Sequence, residues 1–245
     1  LAAVERAVKA ANALKPDLIV ITGDFVTTDA EAIQDLAPLL STLNARDGIF
    51  CTLGNHDHWS NASVVRGGLR KAGLTVLHNQ SVPLAGGKMW LMGLDDGWVG
   101  RADFRLALEE AKGDAPILLM MHEPDLVDEF STNPRITLQV SGHTHGGQVR
   151  RMRPRRAYTL PYLGKKYDAG LYRVNQTSLY TNRGIGTVLA PIRYNCPPEV
   201  TEFTLVADSA DELYSAESMA AQAMASRSGP DAFTPGLAGA HRTID

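Results

Sequence analysis

Apolar positions along the chain fall into two rhythms. Val4, Val8, Ala11 and Leu14 recur at helical spacing and Pro16 follows, which predicts a helix over residues 1–14. LIVI (18–21) is a continuous apolar run of the kind buried on both faces of a sheet. Ile33, Leu36 and Leu40 put a second helix at 29–40, and IFCTL (49–53) reads as a strand. A helix is expected at 61–72, weakened by Gly67 and Gly68. LTVL (74–77) and KMWLMGL (88–94) read as strands, 103–112 as a helix and PILLMM (116–121) as another buried strand. ITLQV (136–140), GLYRV (170–174), SLYT (178–181) and VTEFTLV (200–206) complete the strands. Helix and strand alternate early and short strands dominate later, which predicts an α/β fold with one mixed sheet or two packed sheets. Residues 1–206 form the expected domain. Residues 207–227 are an Ala/Ser-rich helical candidate, and the segment from there to 245 has no periodicity and reads as a loosely packed tail.

At 245 residues and 44% apolar content the chain can bury one substantial core. Its formal net charge of −3 gives no global case for nucleic acid, which is not expected as a partner. Cys51 and Cys196 are too few for a disulfide framework, and Cys51 sits in an apolar run where it reads as a small buried hydrophobe. No apolar run approaches the ~20 residues a membrane helix needs. A secretory signal pattern is also lacking, so the expected location is the cytoplasm or the periphery of the cytoplasmic membrane.

Four apolar runs end in groups that can bind a metal. LIVITGD ends at Asp24; IFCTLGNHDH at Asn55, His56 and Asp57; ILLMMHEPD reaches His122; ITLQVSGHTH reaches His143 and His145. Loops at the carboxyl ends of strands in an open α/β sheet converge on one crevice. Taken singly, Asp24 reads as well as a helix cap, NHD as a turn, and His122 as a hydrogen-bonded structural histidine. GHTHGG resists such a reading, because histidines at i and i+2 on extended backbone face one side and the glycines permit a tight turn. The donor set mixes O and N without thiolate, which suits Mn, Fe or Zn.

With GD at 23–24, GNHD at 54–57, MHEPD around His122 and GHTHGGQ at 142–148, the chain resembles the calcineurin-like metallophosphoesterases. It is most similar in flavour to a bacterial branch containing membrane-associated phosphodiesterases and UDP-2,3-diacylglucosamine diphosphatases, through GNHDHW, KKYDAGLYRV and RYNCPPEVTEFTL. The resemblance spans residues 1–206. It implies a four-layer α-β-β-α sandwich of two mixed sheets and two divalent metal ions. Asp24 would bridge the ions, Asn55, His122 and His143 would complete one shell, and His145 would serve the other. His56 would protonate the leaving oxygen or stabilise the transition state, oriented by Asp57. The implied reaction is hydrolysis of a phosphodiester or diphosphate by metal-bound hydroxide, on a lipid- or nucleotide-linked substrate.

One family motif, an Asp-x-His on a first strand, has no counterpart in this sequence. The chain starts in what should be the following helix, so the first strand is absent and one metal site is incomplete as written; upstream sequence is expected. The alternative is a catalytically degraded binding scaffold of the same fold. RRMRPRRAYTLPYLGKK (150–166) carries seven basic residues with Tyr158, Leu160, Tyr162 and Leu163 interleaved, and reads either as a solvated loop or as a rim for anionic substrate or peripheral membrane contact. His58 and Trp59 read equally as pocket lining or as packing residues, Asp95 and Asp96 as a turn, and Arg193, Tyr194 and Asn195 as a loop approaching the site. The oligomeric state leaves no signature.

Overall fold

The computed structural model describes residues 1–151, 157–207 and 239–243. It divides into a large unit, Leu1–Val200 with Thr243–Asp245, and a small one, Thr201–Arg242. The fold is α/β, with two main sheets and a two-stranded ribbon.

The first sheet is parallel, in the order β1 (Ile19–Ile21), β2 (Ile49–Cys51), β3 (Thr75–Val76). It is served by α1 (Ala2–Ala13), by α2 (Ile33–Leu40) with a preceding 3-10 turn at Ala30–Ala32, and by α3 (Asn55–Lys71). Ile33, Leu36 and Leu40 of α2 meet Val65 and Leu69 of α3 and Cys51 and Val76 of the sheet in one buried cluster. The second sheet has six strands in the order β4 (Gln80–Leu84), β5 (Met89–Gly93), β6 (Ile117–Met120), β7 (Ile136–Ser141), β9 (Thr177–Thr181), β8 (Gly170–Val174). The inner four strands run parallel and the two edge strands antiparallel. Met92, Leu119 and Ile136 on one face pack against Ala107 of α4 (Phe104–Glu110) and Phe130 of α5 (Val127–Phe130). On the other face, a Cβ at Gly93 would lie 2.4 Å from Leu77 Cβ and 3.0 Å from Thr52 Cγ2, so the ends of the first sheet press on the second there.

Three elements differ from the expected pattern. β4 carries Pro83 and polar residues, a poor strand signal that an edge position tolerates. The segment after His122 forms a 3-10 turn (Pro124–Leu126) and α5, too short to show periodicity. Most consequentially, α3 begins at Asn55, not at residue 61. Asp57, in its first turn, takes the N–H of Gly54 at 3.0 Å, and the helix breaks at Asn61, whose Oδ1 accepts from Ser63 N and Val64 N.

The expected helix at 207–227 falls, from residue 208 onward, outside the described residues. Gly239–Thr243 is a strand, β11, paired with β10 (Glu199–Phe203) in a two-stranded ribbon. Among the described residues no helix is long and apolar enough to cross a membrane.

Gly67 and Gly68 are adjacent in α3 yet unlike in surroundings. A Cβ at Gly67 meets nothing within 4 Å, whereas one at Gly68 would lie 2.6 Å from Ile33 Cγ1. Gly67→Ala should stabilise the chain by about 0.5–1 kcal/mol, as helical Ala does over Gly. Gly68→Ala should destabilise it by about 1–3 kcal/mol through overpacking. Urea midpoints moving in the same direction for both would show that the α2–α3 contact is wrong.

Candidate metal centre

Four strand ends carry the candidate donors. Asp24 follows β1, Asn55 opens the helix after β2, His122 follows β6, and His143 and His145 follow β7. One ligand atom each from Asp24, His122 and His143 lies within 4.8 Å of the others. His145 stands outside that trio, in the turn His145–Gly147.

The orientation of each donor has a visible cause. His122 Nδ1 donates to the Thr22 carbonyl, so its Nε2 is the free nitrogen, 3.1 Å from Asp24 Oδ2. His143 Nε2 donates to the Tyr162 carbonyl at 2.7 Å, leaving Nδ1 free. Asp24 Oδ1 accepts the His56 N–H at 3.0 Å, leaving Oδ2 to the centre. Asp24 Oδ2, Asn55 Oδ1, His122 Nε2, His143 Nδ1 and His145 Nδ1 are all buried without an aligned hydrogen-bond partner. A buried polar atom left so costs about 1–3 kcal/mol. Five such atoms on these strand-end loops, three of them on residues whose ligand atoms lie within 4.8 Å of one another, fit a metal centre far better than a packed core. Gly54 completes the fit: a Cβ there would lie 2.4 Å from Asp24 Oδ1 and 2.7 Å from His122 Nε2.

Backbone conformation is spent on the same purpose. Asp24, His143, His145 and Gln148 all have positive φ, at 58°, 67°, 52° and 51°, a region non-glycine residues seldom adopt. Asp57 carries much of the load at β1. Its carboxylate accepts from the N–H groups of Asp24 (2.9 Å), Phe25 (2.8 Å), Val26 (3.1 Å) and Gly54 (3.0 Å). The expectation that Asp57 orients the His56 ring is thereby corrected. His56 Nδ1 is held by the Thr27 carbonyl at 2.8 Å, while Asp57 fixes the loop that presents Asp24 and Thr27.

The electrostatics divide the histidines. Burial disfavours charge on His122, but the Asp24 carboxylate, with Glu123 and the Thr22 carbonyl, outweighs it and holds the pKa at about 10. Burial and the nearby His122 charge push His143 down to about 4. Burial likewise lowers His145. Burial opposes ionisation of Asp24, yet the His122 charge keeps its carboxyl well below the usual range. Asp57 rises to about 6, through burial and the Asp24 charge. Near neutrality the centre therefore holds one carboxylate, one protonated imidazole and two neutral ones.

Around it stands a chain of rings. His56 meets Trp59 edge-on at 4.9 Å, Trp59 meets Trp98 at 4.9 Å, and Trp98 meets Tyr162 at 5.7 Å and His143 at 6.0 Å. For Trp59 the sequence left pocket lining and packing equally open. Trp98 was not anticipated, because it lies in an aperiodic loop; Asp96 Oδ1 caps that turn by accepting from Trp98 N, Val99 N and Gly100 N. Asp95 instead binds His58 at 2.8 Å. Arg193 does approach the site, donating to the carbonyls of His145, Arg183, Gly186 and Cys196. Within the basic rim, Arg150 pairs with Asp168 and Lys166 with Asp128, Arg151 is exposed, and Arg153, Arg155 and Arg156 lie outside the described residues.

Two outcomes are expected. A cation at this centre must displace the proton of His122. Because that proton is held up to a pKa of about 10, apparent Mn affinity should rise with pH by about tenfold per unit between pH 7 and 9. Calorimetric titration in buffers of different ionisation enthalpy should return about one proton per ion, and a pH-independent affinity would contradict the arrangement. Gly54→Ala should weaken Mn binding by about tenfold or more while the fold persists by circular dichroism.

The sequence profile of the calcineurin-like phosphoesterase family matches residues 1–147. The chain is 40% identical over 200 residues to the uncharacterized metallophosphoesterase YkuE of Bacillus subtilis, covering 79% of this chain and 69% of that protein. It is 34% identical over 198 residues to the phosphodiesterase YaeI of Escherichia coli, covering 78% and 71%. A transmembrane protein with metallophosphoesterase domain from Danio rerio is 30% identical over 219 residues, which cover 82% of this chain and 48% of that protein. With its motifs on four converging strand ends and these relatives beside it, the chain belongs to the calcineurin-like metallophosphoesterase family.

Proposed function

We propose that this protein hydrolyses a phosphodiester or diphosphate bond at a centre of divalent cations, with Mn, Fe or Zn as candidates, on a lipid- or nucleotide-linked substrate. The observation that carries the reading is a set of five buried donor atoms: Asn55 Oδ1, His143 Nδ1 and His145 Nδ1 lack a hydrogen-bond partner, and Asp24 Oδ2 and His122 Nε2 face only each other. Asp24, Asn55, His122 and His143 would hold one ion; Asp24 and His145 would contribute to a second. When bound, such ions supply positive charge against a phosphate and lower the pKa of a coordinated water.

The chain's own residues supply the rest. Asn55 offers a neutral oxygen, so it holds an ion without cancelling the charge that a phosphate needs. The Asp24 carboxylate tempers repulsion between neighbouring cations. His56 Nδ1–H is fixed on the Thr27 carbonyl, which leaves Nε2 as the nitrogen that can hand a proton to a departing oxygen. Trp59 packs edge-on against the His56 ring and Trp98 edge-on against Trp59, so these indoles border the side of the site where a substrate's leaving group would sit.

His56→Ala should lower turnover of bis(p-nitrophenyl) phosphate by about 10²–10⁴-fold while bound Mn, measured by elemental analysis, stays unchanged. Full activity in that variant would remove His56 from its role. For this chain as sequenced, Mn titration should give one tight site, from four donors, and a weaker second from two; no binding at all would favour a scaffold that has lost its chemistry.

A further inference from the structure

His145 sits on a strained turn. Its φ is 52°, Gly146 follows at 57° and Gln148 at 51°. A non-glycine residue keeps such a conformation only where its surroundings over-determine it. Within the turn, Thr144 Oγ1 accepts Gly146 N at 3.0 Å. Further restraints come from residues 183–196.

Arg193 supplies the widest of these. Its guanidinium is turned inward, and every nitrogen is spent on main-chain oxygens. Nη1 donates to the carbonyls of His145 and Cys196, both at 3.2 Å. Nη2 donates to those of Arg183 at 2.8 Å and Gly186 at 2.5 Å, and Nε to Gly186 at 2.9 Å. Among the described residues Arg193 hydrogen-bonds no carboxylate; its neighbour Arg183 takes Glu199 instead. A partly buried cation without such a partner is costly, so its retention calls for a return. Here the return is geometric, since a planar fork joins four stretches of main chain at one point.

Gln148 answers from the other side. It closes the His145 turn, and its Nε2 lies 3.1 Å from the Val188 carbonyl, 3.3 Å from that of Ile192 and 3.4 Å from that of Ala190. Its Oε1 accepts the Val188 N–H, and Tyr194 N donates to Gln148 O at 2.8 Å. Each loop therefore grips the main chain of the other with one side chain. Cys196 Sγ adds a contact of 3.2 Å to the His145 carbonyl. The fit is close enough that a Cβ at Gly146 would lie 2.7 Å from Cys196 Sγ.

The other candidate ligands are oriented by different groups. His122 leans on Thr22, His143 on Tyr162, and Asp24 on the His56 N–H. The grip of Arg193 thus falls on His145 alone among them.

We propose that Arg193 is a positioning residue: with Gln148 it forms a reciprocal clasp that sets the His145 turn, and so governs the second cation position without touching the first. The inference rests on the reading of His145 as a donor to a second ion.

Arg193→Lys keeps the charge but loses the fork, and Gln148→Ala removes the answering contact. Mn titrations followed by electron paramagnetic resonance should show the weaker site losing about tenfold or more of its affinity in each variant. The tight site and the circular dichroism should stay as in the wild type. In the metal-free chain with isotope-labelled histidine, the ring signal of His145, assigned with His145→Gln, should shift or broaden in Arg193→Lys. The signals of His122 and His143 should hold still. The proposal is overturned if Arg193→Lys leaves the His145 signal unmoved, because charge alone would then suffice. It is also overturned if all three ring signals move and the tight site weakens equally, which would make Arg193 a general support of the fold. A wild-type chain that binds no Mn at all would remove the hydrolytic reading instead, with the clasp still judged by the His145 signal.

Discussion

The rest of the site depends on one contact between the sheets. His122, at the end of β6 in the six-stranded sheet, gives its Nδ1–H to the Thr22 carbonyl beyond β1 and sets its Nε2 against Asp24. These partners are 100 residues apart in sequence. A charged imidazole paired with a carboxylate, both nearly dry, holds the sheet ends together by attraction that water hardly screens. A divalent cation would replace the proton with a stronger link of the same kind. The proposed metal chemistry and the junction between the sheets would therefore draw on the same atoms.

That economy explains the strain near the centre. Asp24, His143 and His145 adopt left-handed backbone conformations. Asp57 offsets part of the cost at β1 with accepted N–H bonds from four residues, and Thr144 Oγ1 does similarly for the second loop by accepting from Gly146 N. Such positions persist only where surrounding structure over-determines them. The glycines at 54 and 146 serve the same end by close approach. A Cβ at Gly146 would lie 2.6 Å from Arg183 Cγ and 2.7 Å from Cys196 Sγ.

Much of this was legible in the sequence, for physical reasons that also mark where legibility stops. Buried parallel strands write themselves as runs such as LIVI and ILLMM, and donors that follow such runs converge by topology. The start of α3 was hidden because two glycines and a break at Asn61 blurred its period, and with it went the sign that Asp57 would reach back to Gly54. β4 was hidden by Pro83, and Trp98 by its place in a capped turn. The lone Gln148 gave no hint of its grip on residues 188–192, because that contact spans 40 residues or more and depends on a turn.

The three orienting acceptors at the centre, on Thr22, Thr27 and Tyr162, are all main-chain carbonyls. A carbonyl survives nearly any substitution at its own position, provided the backbone path is kept. Substituting the side chains at 22 and 27 would therefore leave these hydrogen bonds in place. What matters instead is the course of the loops, set by Gly54, by Asp57 and by Gly23, where φ is 99° and a Cβ would lie 2.4 Å from Gly54 N. The functional constraint here is written in chain geometry more than in residue identity.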